Sequence, residues 1–267
     1  MADLVYRPVV FFARGVFRGL DLRFDIAGHE NIPLTGGAVI ATNHVGYLDF
    51  AFIGYGARLR GKRLVRFLAK KEVFDHLVSG PLMRGMRHIA VDRSAGAGSY
   101  AEAVRVLKTG ELVGMFPEAT ISLSLCLKDF KAGAARMAID AGVPLVPSVV
   151  WGSQRVWTKG RPKELKRNHV PIVIRYGEAL HPQPGDDPVV VTEQLKAAMQ
   201  ELLEQALSAY PEKPEGPEDS WWVPAHLGGT APTPEEAQER LAEQNARRAA
   251  ERAAKRARRA RRGKPRA

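Results

Sequence analysis

The sequence predicts an α/β fold: a mixed, mostly parallel sheet flanked by helices, with an N-terminal amphipathic helix that lies on a membrane surface and a basic C-terminal tail. Three observations predict it. Short apolar runs alternate with helix-periodic segments between residues 37 and 210. Residues 4–20 place their charges on one helical face. Finally, the composition changes abruptly after Tyr210 and again near Arg247.

In the first segment, Arg7, Arg14 and Arg18 are spaced 7 and 4 residues apart and share one face at about 100° per residue. Val9, Phe12, Val16 and Leu20 share another, with Phe17 beside it. Such a helix can rest its arginines on phosphates and its aromatic side in the acyl region, or pack that side on the protein's own core. The segment is broken by Arg14 and Arg18 and is too short to span a bilayer, which takes roughly 20 apolar residues.

Strands are predicted at 37–43, 64–68, 88–91, 112–116, 143–150 and 172–176, and helices at 48–59, 99–108, 130–141 and 191–210. Residues 81–85 read as a turn or short helix. Pro144 and Pro147 remove two donors from the strand at 143–150, which places it at an edge of the sheet or at an entry point rather than in the centre. Four regions follow: the amphipathic helix (1–24), an α/β body (25–210), a Pro/Gly/Trp-containing strap (211–234) and a basic Ala/Arg-rich tail (235–267) that is a solvated helix or disordered. Trp221 and Trp222 in the strap are expected to dock on the body or at a membrane interface.

Composition narrows the function classes. Hydrophobic residues make up 45% of the 267, as in a folded globular chain. The single cysteine, Cys126, excludes an internal disulfide framework and reads as a small apolar residue. No metal-ligand spacing is present, so no metal is expected. Of the net charge of +11, residues 247–267 carry +10 (eleven Lys/Arg against Glu251), which leaves +1 for the rest. The tail therefore favours an anionic surface. By itself it allows a non-catalytic, surface-binding protein.

Four segments carry candidate chemistry. In Asn43-His44-Val45-Gly46-Tyr47-Leu48-Asp49, His44 ends a strand and Asp49 lies in the first turn of the next helix. Five residues turn a helix by about 500°, so the two side chains meet only across a strand-to-helix corner. An imidazole oriented by a carboxylate is a general base that makes a hydroxyl nucleophilic near neutral pH. A helix-capping or buried, satisfied histidine fits the same residues. His88–Ser94 runs from a strand into Asp92-Arg93, where Arg93 can hold a phosphate through paired hydrogen bonds or simply pair with Asp92. Phe116–Thr120 runs from a strand into Glu118, able to accept hydrogen bonds from hydroxyls, and Thr120, able to donate one. Val143–Pro147 is a proline-stiffened strand near the same sheet edge.

In this order and spacing, NHxxxxD, a strand ending in Asp-Arg, FPE-x-T and VPLVP resemble the glycerolipid acyltransferases of the lysophosphatidic acid acyltransferase type, over roughly residues 25–180. The resemblance implies transfer of an acyl chain from a thioester, carried on CoA or an acyl-carrier protein, directly to the free hydroxyl of 1-acylglycerol-3-phosphate, giving phosphatidic acid. His44 is then the general base and Asp49 its orienting carboxylate. Arg93 binds the acceptor phosphate, Glu118, Ala119 and Thr120 contact the acceptor, and Pro147 lies by the acyl donor. It also implies a peripheral or monotopic position on the cytoplasmic face of the cell membrane, with no nucleic-acid partner. The third motif departs from the family's FPEGTRS, reading FPEATIS with Ala119 for glycine and Ile121 for arginine. The missing arginine removes a phosphate contact that Lys128, Lys131 or Lys70-Lys71 could replace, and it leaves room for another lysolipid or a lipid alcohol as acceptor.

Overall fold

The computed structural model describes residues 4–92, 96–167 and 169–262. Seven strands form one sheet: β1 (Arg23–Ala27), β2 (Ala38–Thr42), β3 (Val65–Lys70), β4 (Ile89–Val91), β5 (Leu112–Met115), β6 (Leu145–Trp151) and β7 (Pro171–Tyr176). Their order is β1-β7-β6-β2-β5-β3-β4, parallel throughout except between β6 and β7. The helices are α1 (Tyr6–Gly19), α2 (Asp49–Ala57), α3 (Lys71–Asp75), α4 (Ser79–Gly85), α5 (Gly96–Lys108), α6 (Gly133–Ala141), α7 (Pro188–Ser208) and α8 (Pro234–Arg262). The mixed, mostly parallel sheet flanked by helices agrees with the fold expected from the sequence.

The central strands β2 and β6 are buried along their whole length, which is why they read as continuous apolar runs rather than alternating ones. On one face of the sheet, Ile40, Val146, Val150 and Ile172 pack with Phe17, Phe52 and Phe67. Two elements were not foreseen. Edge strand β1 alternates exposed Arg23 and Asp25 with half-buried Phe24 and Ile26, and straddles the boundary placed at residue 24. Helix α3 is a single turn after β3.

The edge position expected for β6 from Pro144 and Pro147 requires a correction. This strand is not at the edge; it lies between β7 and β2. Pro147 is tolerated because the ladder on its β7 side is interrupted there. Leu145 bridges Leu180 and Ser148 pairs with Tyr176, while Pro147 needs only to accept the Gly177 N–H through its carbonyl at 2.9 Å. The missing N–H of Pro147 thus falls where no acceptor is aligned.

Helix α1 divides its residues differently from the sequence expectation. Tyr6, Phe17 and Leu20 are buried, with Val9, Val10 and Ala13 packed partly beneath it. Phe12, expected on the same apolar face, is 72% exposed, as is Phe11 at 79%. Arg7, Arg14 and Arg18 line an exposed flank together, as their spacing requires. Tyr6 packs with Phe74, Met83 and Met86, and a Cβ on Gly85 would press into Val5, so α1 lies close against α4. Nearby, Leu77 and Val78 are also exposed. No helix among the described residues is long and apolar enough to cross a membrane.

The chain divides into two compact units. The larger runs to Ile121 and resumes over Leu127–Lys213; the smaller holds Ser122–Cys126 and the residues from Pro214 onward. In the smaller, residues 217–222 and 225–227 form 3-10 turns, and the Thr230 and Ala231 N–H groups donate back to Ser220 and Val223. Trp222 is buried, and the tail continues as α8.

Candidate active site

Strands β2 and β5 are adjacent and parallel, so their carboxyl ends, carrying His44 and Glu118, lie side by side. This is the end of the sheet at which α/β proteins place their ligand sites. Asn43 makes the exit from β2 possible. Its side-chain amide donates to the Val150 carbonyl at 3.1 Å and accepts the Val150 N–H at 2.8 Å, standing in for the backbone where the chain leaves the sheet. The chain can then turn sharply at His44-Val45-Gly46. Gly46 is required there, because a Cβ would overlap Ser153.

At the corner, the His44 Nδ1 lies 2.9 Å from the Asp49 Oδ2. The same carboxylate oxygen accepts the Val45 and Gly46 N–H groups, both at 2.8 Å, and Oδ1 accepts the Ser153 hydroxyl. Asp49 is fully buried and held by four donors. A carboxylate can only accept, so His44 places its proton on Nδ1 and leaves the Nε2 lone pair available as a base. The imidazole stacks on Phe116 at 4.0 Å between centroids, and its side chain keeps 19% of its surface open. The strand-to-helix corner expected from the spacing is therefore present.

Glu118 buttresses the corner from β5. Its Oε1 accepts the His44 N–H at 3.0 Å and its Oε2 the Lys128 N–H at 3.3 Å. Burial pushes the Glu118 carboxyl up to about 7, and nearby Asp49 adds to this, while the His44 N–H and Lys128 pull it down. Burial likewise lowers the Lys128 ammonium. Low dielectric penalises both charges, and their mutual attraction offsets only part of that. Because its folded-state pKa is raised, Glu118 contributes stability that is complete below pH about 4.5 and is lost as the pH climbs to about 7.

The turn after Glu118 explains one departure in the third motif. Ala119 has φ of 60°, the left-handed region where the family's glycine carries no penalty. Alanine bears it at a cost of about 1 kcal/mol. Ile121 is 5% exposed, an interior residue at the place of the usual arginine. The Lys128 Nζ donates to both the carbonyl and the hydroxyl of Thr120 at 2.6 Å. Thr120 therefore joins the site through Lys128, and Pro147 lies within the sheet at the level of Ala41. Arg93 lies outside the described residues; its neighbour Asp92 pairs with Lys71 at 3.2 Å.

Sequence reasoning missed Ser153 and gave no role to Asn43 and Phe116, which stand in its motifs. Only their positions next to strand ends marked them, and their partners are far away in the chain. One cavity, of about 410 Å³, lies beside β4 and is lined by Arg66, Arg87, His88 and Arg105, and not by His44 or Glu118. His88 there accepts the Phe67 N–H and is kept neutral by burial, which lowers it to about 4. It is a structural histidine and not a second base.

Comparison with known proteins bears on the family. A family model described as Acyltransferase matches residues 23–151. A 1-acyl-sn-glycerol-3-phosphate acyltransferase of Bacillus subtilis is 32% identical over 180 residues, 67% of this chain and 83% of that one. A protein of the same name from Limnanthes douglasii is 34% identical over 143 residues, 52% of this chain and 48% of that one. The crystal structure of the 1-acyl-sn-glycerophosphate acyltransferase of Thermotoga maritima matches with a TM-score of 0.64 at 22% identity, over 78% of this chain and 81% of that one, and so shares its fold. From these matches and the corner they enclose, the chain belongs to the 1-acyl-sn-glycerol-3-phosphate acyltransferase family.

Proposed function

We propose that this protein transfers an acyl chain from a thioester to the free hydroxyl of 1-acylglycerol-3-phosphate, giving phosphatidic acid. The observation that carries the proposal is the 2.9 Å contact between the His44 Nδ1 and the buried Asp49 carboxylate, at the carboxyl end of a central strand. In the reaction, the His44 Nε2 takes the hydroxyl proton as the hydroxyl oxygen bonds to the thioester carbonyl carbon. The C–S bond then breaks, and the departing thiolate recovers the proton from the imidazolium. The products are an ester and a free thiol, with no acyl-enzyme between them. Asp49 holds the tautomer and stabilises the imidazolium. Glu118, with the Ala119 turn and Thr120, faces the glycerol portion, and Arg93 takes the phosphate. Pro147 stiffens the strand beside the donor. The donor is an acyl-CoA or an acyl-carrier protein, and no metal or cofactor has a role.

The burial of Ile121 supports Lys128 as the cation that replaces the family's third-motif arginine. With purified protein and acyl-CoA, lysophosphatidic acid is expected to outcompete lysophosphatidylcholine and monoacylglycerol in a mixed pool whose products are read by mass spectrometry. A product drawn mainly from the uncharged acceptor would replace lysophosphatidic acid by the lipid-alcohol alternative. No ester from any acceptor would remove acyl transfer altogether.

The exposed face of α1 supports a monotopic position on the cytoplasmic leaflet, with Phe11 and Phe12 in the acyl boundary and Arg7, Arg14 and Arg18 on phosphates. Phe11→Asp/Phe12→Asp is expected to cut sedimentation with anionic vesicles by roughly tenfold or more, from the loss of two aromatic side chains that would enter the acyl boundary. Turnover of a soluble short-chain acceptor should remain. Unchanged vesicle binding would mean that α1 is purely a packing element.

A further inference from the structure

The segment from Trp157 to Arg167 holds Lys159, Arg161, Lys163, Lys166 and Arg167 against one acid, Glu164. Its net +4 is out of proportion to a chain whose first 246 residues total only +1. It is tied directly to the catalytic corner. The Tyr47 N–H donates to the Trp157 carbonyl at 2.9 Å, and the Thr158 hydroxyl donates to the Val45 carbonyl at 2.6 Å. The Trp157 ring packs on Tyr47 at 4.7 Å, and the Lys163 ammonium sits 4.1 Å above Trp157. Tyr47 lies between His44 and Asp49 in the sequence, so one chain of contacts joins this cationic segment to the general base.

We propose that this segment is the docking surface for an acidic carrier protein that delivers the acyl thioester, a role that rests on the acyl-transfer activity proposed above. Its shape and placement favour that partner over the other polyanions. From Gly160 to Arg167 every residue is exposed, so the cations form a ridge and not a pocket. A nucleotide is normally held in a concave site, whereas an acidic protein face is recognised by a spread of exposed charge. A lipid surface needs apolar groups that can enter it, and of the large apolar side chains here only Leu165 is more than half exposed. Arg167 and His169 pair with Asp21, just beyond the end of α1. The end of α1 at Gly19 lies about 10 Å along the helix axis from Phe12. A carrier protein seated on the ridge brings its prosthetic arm to the corner that Trp157 and Tyr47 frame.

The test compares palmitoyl-carrier protein with palmitoyl-CoA as donors, using wild type, Arg161→Glu/Lys166→Glu and the neutral Arg161→Gln/Lys166→Gln. These changes leave Lys163 on Trp157. Charge reversal is expected to lower kcat/KM for the carrier-protein donor by roughly tenfold or more, through KM, with the neutral variant in between. With palmitoyl-CoA, kcat/KM should stay within about twofold, and vesicle sedimentation should not change. Equal losses with both donors would overturn the proposal in favour of the CoA phosphates or a disturbed corner. A loss of vesicle binding would make the ridge a lipid contact, and wild type that rejects the carrier-protein donor would also overturn it. Failure of wild type with both donors would instead remove the acyltransferase activity itself.

Discussion

His44→Ala is expected to lower kcat by roughly 10²–10⁴ while leaving the protein folded, because general-base catalysis of this kind contributes about that much. The partly exposed imidazole makes one side-chain hydrogen bond, to Asp49, and one ring contact, to Phe116. Removing it therefore takes little from the fold, about 1 kcal/mol. A chain of this size should lose roughly 2–4 °C in Tm. The Glu118 contact is untouched, since it is made by the His44 backbone N–H. Steady-state rates on lysophosphatidic acid, read beside a thermal melt, check both halves. Activity within tenfold of wild type would assign the base elsewhere.

Asp49 should behave differently, and the contrast is informative. Asp49→Ala removes the acceptor for the Val45 and Gly46 N–H groups and for Ser153, all inside the protein. Each buried donor left unpaired costs about 1–3 kcal/mol. The expected loss is about 3 kcal/mol or more, roughly 6–12 °C in Tm, together with most of the activity. Asp49→Asn keeps the shape but turns an amide NH₂ toward donors, and it loses control of the imidazole tautomer. Its kcat should fall by roughly 10²–10⁴ with a smaller loss of stability. Ser153→Ala, which removes one of the four donors, should cost about 1 kcal/mol and only a few-fold in rate. An Asp49→Ala protein as stable as wild type would mean that the carboxylate does not organise the corner.

The corner was legible because its parts are local. A buried apolar strand, a polar exit and a helix start fall within residues 37–59, and the geometry of a five-residue separation follows from helix pitch alone. The Glu118 turn was legible for the same reason, as a strand running into Pro117. The central position of β6 was not legible. Pro147 signals an edge unless the ladder beside it is broken, and the break is set by Gly177 and Leu180, more than 29 residues away. The faces of α1 were only half legible: arginine spacing fixed the charged flank, but Phe12 is exposed and Tyr6 buried because packing on α4 and β3 chose which apolar stripe to bury.

What the chain determined by itself was its alternation of elements, the pairing of imidazole and carboxylate across one turn, the concentration of charge in the tail and the motif order that marks the family. These are local or additive properties, carried by side chains close in sequence. Tertiary structure alone decided that Ser153, 104 residues from Asp49, completes its hydrogen bonding. It also decided that Val150 anchors Asn43 and that Lys128 bonds Thr120. Those contacts arise because parallel strands bring their carboxyl ends together whatever their separation in the chain, and no local pattern encodes which strands become neighbours.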